Sequence, residues 1–275
     1  MDDYLQANQK LWDRWTIEHE KSPFYDLAGF RAGKDRLHSI EVSELGDVSG
    51  KSLLHLQCHF GMDTLAWARR GAIVTGVDFS EKSIELARSL GQELNIPAQF
   101  YCSELYQLPD NLSGEFDIVF TSYGVLHWLR DIQQWADIIA HFLKPNGIFY
   151  IVEDHPTFRT FATEDETKIR LSNPYFFSET PEQVEMTGSY ATDNKGEAAS
   201  FYIWNHSLGE VINAIIDVGL TIEYLHEFPY AARAKFPFME KGSDGWWRLP
   251  SEYVQIPFLF SLKARKAGYQ NMQGK

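Results

Sequence analysis

The chain has 275 residues, 44% of them hydrophobic and 15% aromatic, with a formal net charge of −13. The acidity and the lack of any Lys/Arg cluster argue against a nucleic-acid binder, whose affinity comes largely from phosphate neutralisation. They lean towards a neutral or cationic small substrate, although acidity also simply keeps a protein in solution.

No apolar run approaches the roughly 18 residues that a bilayer span needs, so no membrane association is expected. The polar start from Met1 to Lys10 lacks a signal-peptide pattern. Cys58 and Cys102 lie in apolar, strand-like stretches and read as buried thiols of a reducing compartment. The expected location is therefore the cytoplasm.

In chain order, Leu5, Leu11, Trp12 and Trp15 predict a helix from Tyr4 to about Glu18. A turn-rich connection follows. Ser52 to Cys58 is a short apolar strand, Thr64 to Arg70 a helix, and Ala72 to Val77 a second strand ending in Asp78. Ser80 caps the next helix, whose buried face is Ile84, Ala87, Leu90 and Leu94. Ala98 to Cys102 and Phe116 to Thr121 are strands three and four. Asp131 caps a helix with Ile132, Trp135, Ile139 and Phe142 inward. Pro145-Asn146-Gly147 is a turn before a fifth strand, Ile148 to Val152. This alternation predicts a parallel sheet covered by helices on both faces.

The rhythm breaks after Glu153, where residues 154–206 hold many aromatics and turn formers. Ser207 and Glu210 form a capping box. It opens a helix with Leu208, Val211, Ile212, Ile215 and Ile216 buried, closed by Gly219. Leu220 to Phe228 is a strand. An aromatic loop with Phe236, Phe238, Trp246 and Trp247 precedes a last strand, Tyr253 to Leu262. The tail from Ala267 to Lys275 is expected to fray.

Ligands of an open parallel sheet bind beyond the carboxyl ends of its strands. The residues there are His55 to Gly61, Asp78, Ser103-Glu104-Leu105, Ser122-Tyr123-Gly124 and Glu153-Asp154-His155. Asp78 can accept hydrogen bonds from both ribose hydroxyls of an adenosine; the plain alternative is a helix cap. Glu104 can accept from an adenine amino group, or it can be a solvated loop residue. Gln57, Cys58 and His59 have no companions at metal-ligand spacing, so no metal is expected.

Certain stretches carry a family resemblance: Leu53-Leu54-His55-Leu56-Gln57-Cys58-His59-Phe60-Gly61, Val74-Thr75-Gly76-Val77-Asp78-Phe79-Ser80, Phe116-Asp117-Ile118-Val119-Phe120 and Leu143-Lys144-Pro145-Asn146-Gly147. Through them the chain resembles the class I S-adenosylmethionine-dependent methyltransferases, and in particular a bacterial subgroup with a Leu-Gln-Cys-His-Phe-Gly first motif. The resemblance implies an α/β, Rossmann-like, seven-stranded sheet whose last strand is antiparallel. It implies S-adenosylmethionine as cofactor, S-adenosylhomocysteine as product and a small-molecule methyl acceptor. The cofactor-binding residues expected from it are Gln57, Cys58, His59, Gly61, Asp78, Phe79, Ser80, Glu104, Leu105, Ser122 and Tyr123. Residues 1–45 become an N-terminal helical cap, 46–155 the cofactor-binding core, 156–206 an inserted lid, 207–266 the rest of the core and 267–275 a tail.

The first motif departs from the family pattern. His55 stands for an acid, and Gln57 and His59 stand for two of three glycines, with Gly61 remaining. Such a loop either still binds, with the larger side chains turned away or used as donors, or marks a non-catalytic binding or regulatory protein. A nicotinamide oxidoreductase is disfavoured, because no G-x-G-x-x-G run is present to seat a pyrophosphate.

Methyl transfer needs a base only where the acceptor must lose a proton. Candidates at the sheet edge are His127, His155, Tyr123, Glu153 and Asp154. His127 can equally be a packed histidine, and His155 can simply shape a turn before Pro156. Two aromatic regions should cover the site: Trp12, Trp15, His19, Phe24, Tyr25 and Phe30 near the start; then Tyr175, Phe176, Phe177, Tyr190, Phe201, Tyr202, Trp204 and His206, joined by Trp246 and Trp247. They suit an apolar or amine ligand or form a packed satellite core.

Overall fold

The structure, a computed structural model, describes residues 3–162, 168–192 and 197–268. Helices α1 (Asp3–His19), α2 (Leu27–Arg31) and α3 (Ser39–Leu45) come first. The alternating part is β1 (Ser52–Leu56), α4 (Met62–Arg69), β2 (Ile73–Asp78), α5 (Glu81–Glu93), β3 (Ala98–Cys102), α6 (Leu108–Asn111), β4 (Phe116–Ser122), α7 (Ile132–Phe142) and β5 (Leu143–Asp154). Then follow α8 (Pro156–Thr160), a hairpin of β6 (Glu182–Thr187) and β7 (Ala198–Ile203), α9 (Leu208–Asp217) and β8 (Leu220–Phe228). Three two-residue strands, β9 (Tyr230–Ala231), β10 (Glu240–Lys241) and β11 (Trp247–Arg248), precede β12 (Leu259–Lys266).

The main sheet has seven strands in the order β3-β2-β1-β4-β5-β12-β8. β1 to β5 are parallel, and β12 runs antiparallel to both its neighbours. This is the α/β, Rossmann-like arrangement expected. The order reverses between β1 and β4, so their carboxyl ends open side by side at the switch point. Leu53 of β1 pairs with Val74 of β2 and Ile118 of β4, which fixes the register there.

Both sheet faces are buried. On one, Trp135, Ile139 and Phe142 of α7 and Val211 and Ile215 of α9 pack on Phe149 and Leu262. On the other, Trp67 of α4 meets Phe120 and Tyr150, and Ile84, Ala87 and Leu90 of α5 pack around Phe100. The helix starts follow local chemistry. Asp131 accepts from the Gln134 amide, and the Ser207/Glu210 capping box is present.

Several expectations need correction. β1 stops at Leu56, because Gln57 turns left-handed (φ 56°) and leaves the extended region. The last strand starts at Leu259 and runs to Lys266, not from Tyr253 to Leu262; Pro257 lacks the N–H that a ladder needs. The second aromatic loop is a small sheet in the order β10-β11-β9. Cys58 is buried but Cys102 is exposed. The expected tail lies, from residue 269 on, outside the described residues. Ile216 is 51% exposed, whereas Ile215 is fully buried, because one residue turns the helix by roughly 100°.

This register sets a stability contrast. Ile215→Ala is expected to cost about 2–5 kcal/mol, and Ile216→Ala no more than about 0.5 kcal/mol. Urea unfolding of the two variants measures both; equal losses would contradict the placement of α9.

Candidate active site

The turn after β1 is the first part of the site. Gln57, His59 and Gly61, the alternate positions where the resemblance calls for glycine, all have left-handed backbone, with φ of 56°, 51° and 76°. That region costs a side-chain-bearing residue about 1–2 kcal/mol, so the surroundings must hold it. The Cys58 amide donates to Val77 O at 2.9 Å, and the Gly61 amide to Cys58 O at 3.0 Å. The Gln57 side-chain amide donates to Val125 O at 3.2 Å, and its Oε1 is buried with no partner. The His59 ring lies 2.9 Å from Ser83 Oγ and 2.9 Å from His19 Nδ1, and His19 continues to Ser189 Oγ at 2.7 Å. Gly61 alone has no room, since a Cβ there would lie 2.6 Å from the Phe100 ring. The two larger residues are tolerated because their side chains are anchored outward by hydrogen bonds.

Asp78 ends β2 and is 8% exposed. Its Oδ2 accepts the His59 amide at 2.8 Å and its Oδ1 the Ser80 amide at 2.9 Å. Burial pushes its pKa up to about 6, against the pull of those amides and with the help of Asp13. A carboxylate has about four acceptor positions, so room remains for two further donors. Ser80 caps α5 and donates to Asp13 Oδ1 at 2.7 Å. Gln9 donates to Phe79 O at 2.7 Å, and the Trp12 ring meets His59 edge-on at 5.0 Å. Helix α1 thus lies across this edge. Glu104 is 9% exposed, not a solvated loop residue; it accepts the Gln107 amide at 3.1 Å and caps a 3-10 turn, Leu105–Gln107, whose Leu105 is buried.

On the β4–β5 side, His55 lies 2.8 Å from Thr64 Oγ1 and 3.3 Å from Ser122 Oγ, and burial lowers its pKa to about 3. It therefore stands as a neutral ring where the resemblance calls for an acid. Glu153 accepts the amides of Gly124, Val125 and Leu126, and that of Asp154. Burial and Asp154 raise its pKa. The Tyr123 hydroxyl donates to Glu41 Oε2 at 2.9 Å, and burial pushes the Glu41 pKa up to about 8. His155 caps α8, accepts the Thr157 amide and faces Glu227 Oε1 at 3.0 Å. Asp154 pairs with Arg233 at 2.9 Å.

Of the five candidate bases, Tyr123, His155, Glu153 and Asp154 are thus engaged in the scaffold. His127 lines a hollow of about 20 Å³ with Glu153, Arg159, Tyr175, Trp204 and His206. Its pKa is held well below the usual histidine value by burial and by Arg159, so it is neutral. Gln57, His59, Asp78 and Ser80 converge, and Gln57 bridges to the segment after Ser122 and Tyr123. The Cys58 thiol is buried and faces Gly76. Among the described residues no cluster of His, Cys, Asp or Glu could hold a metal, and no helix is long and apolar enough to cross a membrane. Sequence reasoning missed Gln9, Asp13 and Arg159, whose roles arise only from tertiary placement.

Residues 54–151 match the family model described as Methyltransferase domain. An uncharacterized methyltransferase of Synechocystis is 34% identical over 125 residues, 45% of this chain and 56% of that protein. A ubiquinone biosynthesis O-methyltransferase of Chromobacterium violaceum is 26% identical over 147 residues, 54% of this chain and 59% of that protein. The chain therefore spans little more than half the length of these relatives. An S-adenosylmethionine-dependent methyltransferase of Mesorhizobium loti superposes with a TM-score of 0.58 at 21% identity, over 82% of this chain and 94% of that one. This likeness establishes the fold.

Glu153 is above all a cap for backbone amides. Glu153→Gln keeps one acceptor oxygen, so two of the four amides lose theirs. At about 1–3 kcal/mol for each orphaned buried donor, the variant is expected to lose about 2–6 kcal/mol in urea unfolding. A loss below about 0.5 kcal/mol would contradict this role.

Proposed function

We propose that this chain, whose residues 54–151 match the family model described as Methyltransferase domain, is a class I S-adenosylmethionine-dependent methyltransferase that transfers the methyl group of S-adenosylmethionine to a small molecule. The observation that carries the reading is the pairing of Asp78 with the left-handed turn at Gln57, His59 and Gly61. The turn keeps the backbone that the glycine pattern serves, although two glycines are replaced. That supports a working site over a non-catalytic binding protein.

S-adenosylmethionine supplies, when bound, a methyl group already activated on a sulfonium. The protein's part is then orientation and exclusion of water. Asp78 receives the ribose hydroxyls at its two free acceptor positions. Glu104 and Leu105 border the adenine, and Phe79 and Ser80 complete that end. Gln57, Cys58, His59, Gly61, Ser122 and Tyr123 line the approach through their backbone. Helix α1 and the described parts of the insertion, 156–162, 168–192 and 197–206, close the site as cap and lid, with His127 the neutral ring facing the acceptor. A small acceptor also accords with the relatives named ubiquinone biosynthesis O-methyltransferase.

Calorimetric titration tests the reading. The protein should bind S-adenosylmethionine and S-adenosylhomocysteine at micromolar levels, and Asp78→Ala should weaken both by about 100-fold, the effect of losing two hydrogen bonds to a charged group. No binding by the unaltered protein at millimolar ligand would contradict it.

The raised pKa of Asp78 adds a pH signature. Ribose hydroxyls donate best to the ionised carboxylate, whereas the free protein holds it protonated below about pH 6. Affinity should therefore rise towards tenfold per pH unit from about pH 5 to 6 and level off above about pH 7. Asp78→Asn should flatten the profile. In the ligand-free protein the sign is opposite: the raised pKa penalises ionisation, so this group's contribution to stability falls between its unfolded value near pH 3.8 and pH 6.

A further inference from the structure

The charge of −13 does not describe the acceptor side. Beyond the carboxyl ends of β4 and β5, α8 brings Phe158 and Arg159 beside the segment after β9. Arg233 lies 4.8 Å from the Phe158 ring centroid and Lys235 4.9 Å. Three cations thus gather where two carboxylates, Glu153 and Asp154, are already engaged. The Glu153 oxygens take four backbone amides, and Asp154 takes Arg233.

Arg159 has no such partner. Its Nε is buried and makes no hydrogen bond. Among the described residues no carboxylate lies within ion-pair distance of Arg159 or Lys235; Asp154 and Glu182 act on Arg159 from farther away. Burial and the other two cations hold the Lys235 ammonium down at about 8. Trp204 lines the same hollow, and its indole N–H is buried without a partner. A half-buried guanidinium with a buried, unbonded Nε and no ion-pair partner is costly, and perturbed groups of this kind gather at functional sites. Two orphan donors fit a group that only accepts. A planar carboxylate matches the guanidinium fork, and a hollow of about 20 Å³ suits a head group rather than a whole acceptor.

We propose that the methyl acceptor carries a carboxylate, received in this hollow by Arg159 and the Trp204 N–H, with Lys235 adding positive field. This rests on the methyltransferase reading and narrows it: the local field selects an acidic acceptor, although the whole-chain charge leans the other way. The aromatic walls, with Tyr175 and Trp204 in the lining and Phe177 stacked on His206 at 5.4 Å, suit an acid with an apolar body.

The test uses benzoate, its neutral isostere benzamide and phenyl phosphate as probes, titrated by calorimetry with and without saturating S-adenosylhomocysteine. Benzoate should bind at least about tenfold tighter than benzamide. Arg159→Gln should bring the two within about twofold of each other while S-adenosylhomocysteine affinity and the melting temperature stay put, and Arg159→Lys should restore part of the preference. Equal binding of benzoate and benzamide to the unaltered protein, or a preference that survives Arg159→Gln, would overturn the proposal. Tighter binding of phenyl phosphate than of benzoate would overturn it in favour of a phosphorylated acceptor. Failure to bind S-adenosylhomocysteine would instead overturn the methyltransferase reading, and the cofactor-free titrations keep the two failures apart.

Discussion

The Asp78 carboxylate ties together three pieces of chain that sequence keeps apart. One oxygen holds the amide of His59 in the turn after β1, and the other holds the amide of Ser80 at the start of α5. Through Ser80 the link reaches Asp13 on α1. Among the described residues no cation pairs with the group, and burial makes its charge expensive. A carboxylate kept in this state has unused acceptor capacity, and the turn, the helix start and the N-terminal helix are all linked to it.

The same arrangement explains how the turn survives without two of its glycines. Left-handed backbone at Gln57 and His59 is strained, and the strain is offset by side-chain anchoring rather than by backbone freedom. Gln57 holds Val125 in the segment after β4, and His59 joins Ser83 of α5 to His19 of α1. Burial keeps His19 and His59 neutral, so the chain of rings works through hydrogen bonds and not through charge. A consequence is coupling. In a glycine turn the N-terminal helix could move without the turn, whereas here His59 connects them. Gly61 could not be replaced in this way, since Phe100 occupies the space its side chain would need.

Much of the fold was legible because its elements are periodic and capped. The alternation from Ser52 to Val152, the Asp131 and Ser207 caps and the strand at Leu220–Phe228 can be read from spacing and cap chemistry, although β5 begins at Leu143 and runs through the turn expected at Pro145-Asn146-Gly147. The cluster of Gln57, His59, Asp78 and Ser80 was legible because each residue follows a strand. What stayed hidden depends on tertiary placement. The two-residue strands of the small sheet are too short for a period, and Pro257 delays β12. Ile216 has the residue type of the core but points outward, and Cys102 sits in an apolar stretch at an edge strand whose outer side is open. Glu153 read as a candidate base, although its oxygens serve as a cap for four amides. Arg159 carries no motif at all; that no carboxylate among the described residues pairs with it can be seen only once Asp154 is known to be spent on Arg233.

The central claim is that Asp78 and the left-handed turn form an adenosine site. A crystal structure of the protein grown with S-adenosylhomocysteine tests it most directly. The account predicts both ribose hydroxyls within about 2.5–3.0 Å of the Asp78 carboxylate, with Gln57 and His59 still at positive φ. A nucleoside bound away from Asp78, or a turn that must leave the left-handed region to admit it, would contradict the account.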